Sequence, residues 1–190
     1  MSPLLICPRR FSDLRGWFSE TFNDVRLKAQ GIDIAFCQDN QSYSAQKGTL
    51  RGLHFQSPPR GQTKLVRCIR GRIFDVAVDI RRASPTFGHW VGAELTAKDG
   101  KQLLVPVGYA HGFLTLEPDC EIAYKVDDYY SPECDGGIAW NDPAIGIIWT
   151  TGSGEPVLSD KDANLPPLAD MMCEFDYDGA PLEPLREIVV

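Results

Sequence analysis

The chain reads as an all-β protein, a sandwich or barrel of short strands with a few short helices. Three observations lead there. Stretches rich in Val, Ile, Leu and aromatic residues recur at roughly 8–12-residue spacing with Gly, Pro, Asn or Asp between them, the signature of sandwiches and barrels. No alternation of strands with long helical patterns appears, which disfavours a parallel α/β sheet. The 190 residues, 43% hydrophobic and 24% charged, supply one sizeable core, and no linker-like stretch divides them.

Taken in order, Trp17 to Phe22 reads as a strand. Asn23 to Gln30 makes two helical turns, capped by Asn23 and stopped by Gly31. Arg51 to Gln56 and Thr63 to Arg70 are strands joined through Pro58-Pro59-Arg60-Gly61, whose residues let an extended chain double back. Ile73 to Ile80 alternates, with Phe74, Val76, Val78 and Ile80 on one face, and Ser84-Pro85 and Gly88 end the run. Strands over Trp90–Thr96, Gln102–Val105, His111–Leu116, Glu121–Val126 and Gly146–Trp149 follow. Ser159-Asp160-Lys161-Asp162 opens a short helix that Pro166-Pro167 closes. One domain is expected over residues 1–170, and residues 171–190, which show no clear period, form a tail of unassigned structure.

Composition narrows the partners. A net charge of −7 argues against broad nucleic-acid binding, which calls for a basic face. An anionic small molecule remains compatible with a local cluster of Arg and Lys. There is no run of about eighteen apolar residues, so no membrane span is expected. The first residues, Met1-Ser2-Pro3-Leu4-Leu5-Ile6-Cys7-Pro8, lack the pattern of a signal peptide, so a cytoplasmic location is expected. Six cysteines without a Cys-x-x-Cys pair fit reduced thiols.

The chemistry concentrates between Arg51 and Arg67, where His54 is a potential base and Arg51, Lys64 and Arg67 are fixed cations. Only His54, His89 and His111 are histidines. His54 sits beside Arg51, His111 sits between glycine-bearing segments that allow close approach, and His89 has no such company. Two imidazoles with Gln56 where a second metal-binding His would stand make a weak transition-metal site, so no metal is expected. Lys64 shares a strand face with Val66 and Cys68, and Tyr124 shares one with Ile122 and Val126, so both can point into a cavity. A strand-edge lysine reaching water and a core tyrosine are the plainer alternatives. Asp162 fits two roles. Ser159-x-x-Asp162 matches a capping box, and a carboxylate at Asp162 could equally accept a nitrogen of His54 and leave the other free as a base.

Ten ordered blocks carry a resemblance that spans about Phe11 to Asp162. They are Arg15-Gly16-Trp17-Phe18-Ser19-Glu20, Gln38-Asp39-Asn40, Arg51-Gly52-Leu53-His54-Phe55-Gln56, Lys64-Leu65-Val66-Arg67, Phe74 to Arg81, Ser84-Pro85-Thr86-Phe87-Gly88, Gly108 to Phe113, Tyr124-Lys125, Tyr129-Tyr130-Ser131-Pro132 and Trp140-Asn141-Asp142. In these blocks the chain resembles the dTDP-4-dehydrorhamnose 3,5-epimerase family.

The resemblance implies a cupin-like double-sheet jelly-roll barrel and an isomerase with neither redox cofactor nor catalytic metal. The implied substrate is a thymidine-diphosphate 4-keto-6-deoxy sugar and the implied assembly a homodimer. It implies that His54 is the base, Asp162 orients it, Tyr124 is the acid and Lys64 sits at the sugar's 4-oxygen. It further implies that Arg15, Glu20, Gln38, Asn40, Arg51, His111 and Lys161 line the substrate site and that Tyr130 stacks on thymine. Two positions depart from the family pattern: Trp17 replaces a usual Phe, and Asp135 stands where Glu is common. A relative that inverts one centre, a metal-dependent cupin oxygenase or isomerase, and a non-catalytic sugar-nucleotide binder are the competing functions.

Overall fold

The computed structural model describes residues 1–150 and 154–190. Strands are numbered in chain order. One sheet has six strands: β13 (Arg186–Val189), β1 (Leu4–Cys7), β9 (Gln102–Val105), β6 (Lys64–Arg70), β11 (Cys120–Val126) and β4 (Gln38–Ser44), in that spatial order. The second has five, ordered β12 (Asp135–Gly137), β5 (Leu50–Gln56), β10 (Tyr109–Thr115), β7 (Arg72–Asp79) and β8 (Trp90–Thr96). All pairings except β13 with β1 are antiparallel. This is the two-sheet jelly-roll expected of a cupin-like chain.

Alternation along each strand sets three apolar layers. Val66, Cys68, Ile73, Ala77, Leu95, Leu103, Phe113 and Ile122, drawn from both sheets, form the core between them. The opposite faces of the same strands are covered rather than wet. Leu53, Phe55, Val76, Val78 and Ile80 are roofed by Leu168, Met171 and Phe175, and Leu4, Leu65 and Leu104 by Leu27 and Ile32 around helix α1 (Asp24–Ala29). Asn23 caps that helix, its side chain accepting from the Arg26 N–H, as the sequence indicates.

Two expectations need correction. Gly146–Trp149 is not a strand. Two of its apolar side chains pack without pairing: Ile147 and Trp149 lie on the outer layer, and the Trp149 indole N–H donates to the Trp140 carbonyl at 2.8 Å. The strand expected over Trp17 to Phe22 ends at Ser19, as β3 (Gly16–Ser19), and pairs only with β2 (Arg10–Asp13). That hairpin leaves Phe11, Leu14, Trp17 and Phe18 exposed. Residues beyond Asp170 run over the five-stranded sheet, where Phe175 meets Phe55 edge to face at 5.6 Å. They then reach the other sheet as β13. The short polar strand β4 was invisible to hydrophobic patterning.

Candidate active site

The site opens on the inner faces of both sheets. On β5 a regular strand would send Arg51 and His54, three residues apart, to opposite faces. A bulge prevents that: His54 pairs with His111 while Arg51 pairs with Phe113, so β5 carries an extra residue against Gly112. Gly52 makes it possible, with φ +129° and the Gly112 backbone where a Cβ would stand, the nearest atom 2.6 Å away. Arg51, His54, His111 and Phe113 consequently line one chamber.

Opposite them, register aligns the second set. Lys64, Val126 and Gln38 form one rung across β6, β11 and β4, and Val66, Tyr124 and Asn40 form the next rung on the same face. Two adjoining cavities, of about 270 and 230 Å³, share His54, Lys64, Tyr124 and Lys161 as their common wall. The first extends to Gln38, Asn40, Gln62, Tyr130 and Asp135. The second runs to Ser42, Arg51, His111, Ser159 and Asp162.

The His54 Nε2 lies 2.5 Å from an Asp162 carboxylate oxygen. Asp162 belongs to helix α2 (Asp160–Ala163), capped by Ser159. The serine half of the capping motif and the contact with His54 are both realised, whereas the carboxylate takes the Ser159 hydroxyl in place of the cap's backbone N–H. Oδ1 meets His54, and Oδ2 accepts from the Ser159 hydroxyl at 2.9 Å, while the Asp162 N–H donates to that same hydroxyl at 3.1 Å. Burial works against ionisation of Asp162, but the His54 hydrogen bond, helped by Ser159 and Lys161, outweighs it and holds the carboxyl below its usual range. An ionised acceptor on Nε2 keeps the proton there and leaves Nδ1 without a protein partner among the described residues, the tautomer a base requires.

Lys64 places its ammonium 3.3 Å from the His54 carbonyl oxygen. Burial lowers it to about 8, against the opposing pull of Asp75 and Asp135. Burial likewise raises the Tyr124 phenol, with Arg51 opposing, so it stays protonated at neutral pH. His111 bonds through Nε2 to the fully buried Asp75 at 2.7 Å. Arg51 is anchored by the Ser44 hydroxyl and the Tyr43 carbonyl. At the other end Asp135 accepts from Lys161 at 2.5 Å and from the Tyr130 hydroxyl at 3.3 Å, and Gln38 donates to Asn40 at 2.8 Å.

Arg15 and Glu20 do not line these cavities within this chain. Arg15 is 89% exposed on the hairpin and pairs with Asp13; Glu20 pairs with Arg26. The hairpin's strands pair only with each other, while Arg10 donates to the Ala97 carbonyl at 2.9 Å, and Trp17, stacked under Arg10 at 3.9 Å, sits on the hairpin rather than in the pocket. His89 is exposed and away from the site. Asp75, Ser42 and Ser159 were not picked out as site residues. Asp75 had a signal, a carboxylate inside the apolar alternation of Ile73 to Ile80. Among the described residues no cluster of three His, Cys, Asp or Glu could hold a metal ion, and no helix is long and apolar enough to cross a membrane.

The family model for dTDP-4-dehydrorhamnose 3,5-epimerase matches residues 2–170. The chain belongs to that family. It is 53% identical over 173 residues to the dTDP-4-dehydrorhamnose 3,5-epimerase of Sinorhizobium fredii, covering 91% of this chain and 88% of the relative. Among solved structures, the Bacillus anthracis family member with TDP and PPi bound superposes with a TM-score of 0.84 at 50% identity, covering 87% of this chain and 93% of the other. The dTDP-6-deoxy-D-glucose-3,5-epimerase of Legionella pneumophila, in complex with dTDP-4-keto-L-rhamnose, gives 0.85 at 43% identity, with 91% and 93% covered. Family membership accounts for the ten ordered blocks and for the two-sheet barrel around them.

Proposed function

We propose that this protein is a dTDP-4-dehydrorhamnose 3,5-epimerase, converting dTDP-4-keto-6-deoxyglucose to its C3, C5 epimer for dTDP-rhamnose synthesis in the cytoplasm. The convergence of His54, Lys64 and Tyr124 on one wall shared by two cavities carries the reading. A C–H bond beside the ketone breaks, its proton goes to His54 and its electron pair to the carbonyl oxygen, where the Lys64 ammonium stabilises the enolate. Inversion requires the new proton from the other face, and Tyr124 supplies it before being reprotonated. Because only the configuration at C3 and C5 changes, with one C–H bond broken and one re-formed at each carbon and no net change of oxidation state, these side chains suffice without a redox partner. Lys161, on the wall shared with the first cavity, suits the diphosphate, since an ammonium group makes charge-assisted hydrogen bonds to phosphate oxygens, while Arg51 and His111, in the second cavity, suit the oxygens of the sugar. Gln38, Asn40, Tyr130 and Asp135 suit the nucleotide end.

Incubation with the keto sugar nucleotide in heavy water tests this. Deuterium is expected at both C3 and C5 by NMR; incorporation at one carbon would reduce the activity to a single-centre epimerase, and none would remove it. Tyr124→Phe should keep deuterium wash-in at the His54 face while net inversion collapses.

We also propose a homodimer in which the hairpin of one copy delivers Arg15 and Glu20 to the cavity of the other. Its support is the exposed Phe11, Leu14, Trp17 and Phe18, an apolar surface that a monomer would leave in water. Light scattering should give twice the 21.1 kDa chain mass, and Arg15→Ala should raise KM more than it lowers kcat. A monomer at working concentration would refute the arrangement.

A further inference from the structure

The Ser159 hydroxyl does two jobs with one oxygen. It accepts the Asp162 N–H at 3.1 Å as a helix cap and donates to Asp162 Oδ2 at 2.9 Å. A capping serine needs only the first of these. In the usual capping box the third-position carboxylate reaches back to the backbone N–H of the cap; here one oxygen takes the hydroxyl and the other faces His54. Asp162 is 5% exposed, so each of its oxygens depends on protein donors to stay ionised. With Oδ2 held by Ser159, rotation about the carboxylate's Cβ–Cγ bond would break two hydrogen bonds at once. Oδ1 is thereby aimed at Nε2.

We propose that Ser159 is a positioning residue for the reaction, the third member of a Ser159–Asp162–His54 chain that fixes the tautomer and orientation of the base. The proposal takes its catalytic consequence from the epimerase reading, but its structural content stands apart from it. Other charged or titratable groups face this unit: Lys161 beside Asp162 on α2, and Lys64, Arg51, His111 and Tyr124 across the chamber. None of these groups donates to Oδ2 among the described residues, so none replaces the directional hydrogen bond from Ser159. Tyr124 is neutral at working pH.

Two substitutions separate capping from aiming. Ser159→Gly keeps a tolerated cap, costing only a few tenths of a kcal/mol as a rule, yet has no hydroxyl. Ser159→Thr keeps both functions. In the full-length wild type, nitrogen-15 NMR of His54 should show one neutral tautomer, protonated on Nε2. Ser159→Gly should show a mixture of tautomers, a kcat about tenfold lower, the scale of one hydrogen bond to a charged group, and a KM close to wild type. The acid limb of its kcat/KM profile should move to higher pH, because a carboxylate with one donor fewer takes up a proton more readily. Ser159→Thr should restore all of these. A wild-type tautomer pattern and kcat in Ser159→Gly would overturn the proposal, as would Ser159→Thr behaving like Ser159→Gly. If the wild type moved no proton on the keto sugar, the epimerase reading alone would fail, and the His54 tautomers would still decide the role of Ser159.

Discussion

Asparagine in place of His54 should lower turnover by about 10²–10⁴-fold, the usual contribution of a positioned general base, with the fold intact. The side-chain amide is close in size to imidazole and can still donate to Asp162, so packing and helix α2 lose little. What it lacks is a lone pair basic enough to take a proton from carbon. The loss should therefore appear in the isotope exchange itself, with deuterium incorporation at C3 and C5 falling in parallel with product formation. His54 is 30% exposed, toward the cavities, so the substitution buries no new unpaired group. Turnover within tenfold of wild type in a variant of unchanged thermal midpoint would assign the base elsewhere, and the nearest alternative is His111, across the strand pair.

Lys64→Ala should cost about 10²–10³-fold in turnover, as loss of one preorganised oxyanion donor typically does. The ammonium is held where burial lowers its pKa to about 8, which makes it a stronger proton donor toward a developing enolate than an ordinary lysine. The same shift has a signed pH consequence. The cation is present below about 8 and lost as pH rises through it, so wild-type kcat/KM should decline on the alkaline side with a midpoint near that value. Stability moves the opposite way. A lysine that binds its proton less tightly when folded opposes folding while charged, so this unfavourable contribution is full below about 8 and fades as pH climbs toward the ordinary 10.5. Lys64→Met should accordingly be at least as stable as wild type at neutral pH while being as poor a catalyst as the alanine variant. An alkaline limb that persists unchanged in Lys64→Met would show that another group titrates there.

These outcomes rest on residues that local patterning had already put in the right phase. Period-two alternation set Lys64 beside Val66 and Cys68 and Tyr124 beside Ile122 and Val126, and in the structure Val66, Cys68 and Ile122 join the inner core while Lys64 and Tyr124 line the cavity. Asn23 and Ser159 marked helix starts because a cap is a contact between residues three apart. Local signals failed where burial and pairing part company: Gly146–Trp149 is apolar because it packs against a sheet, whereas β4 is polar because its inner face borders a cavity.

By itself, then, the sequence determined the all-β class, the strand faces that Lys64 shares with Val66 and Cys68 and Tyr124 with Ile122 and Val126, and the capping motif that holds Asp162. Only the tertiary structure decided that Arg51 and His54 share a face, that Asp162 reaches His54 from 108 residues away, that Asp75 stands behind His111, and that Arg15 and Glu20 stand apart from this chain's own cavity. The reason is that hydrophobic period reports which side of a strand is apolar, a property of neighbours along the chain. Register across a sheet is set by long-range pairing, and one extra residue at Gly52 is enough to reverse which side chains meet.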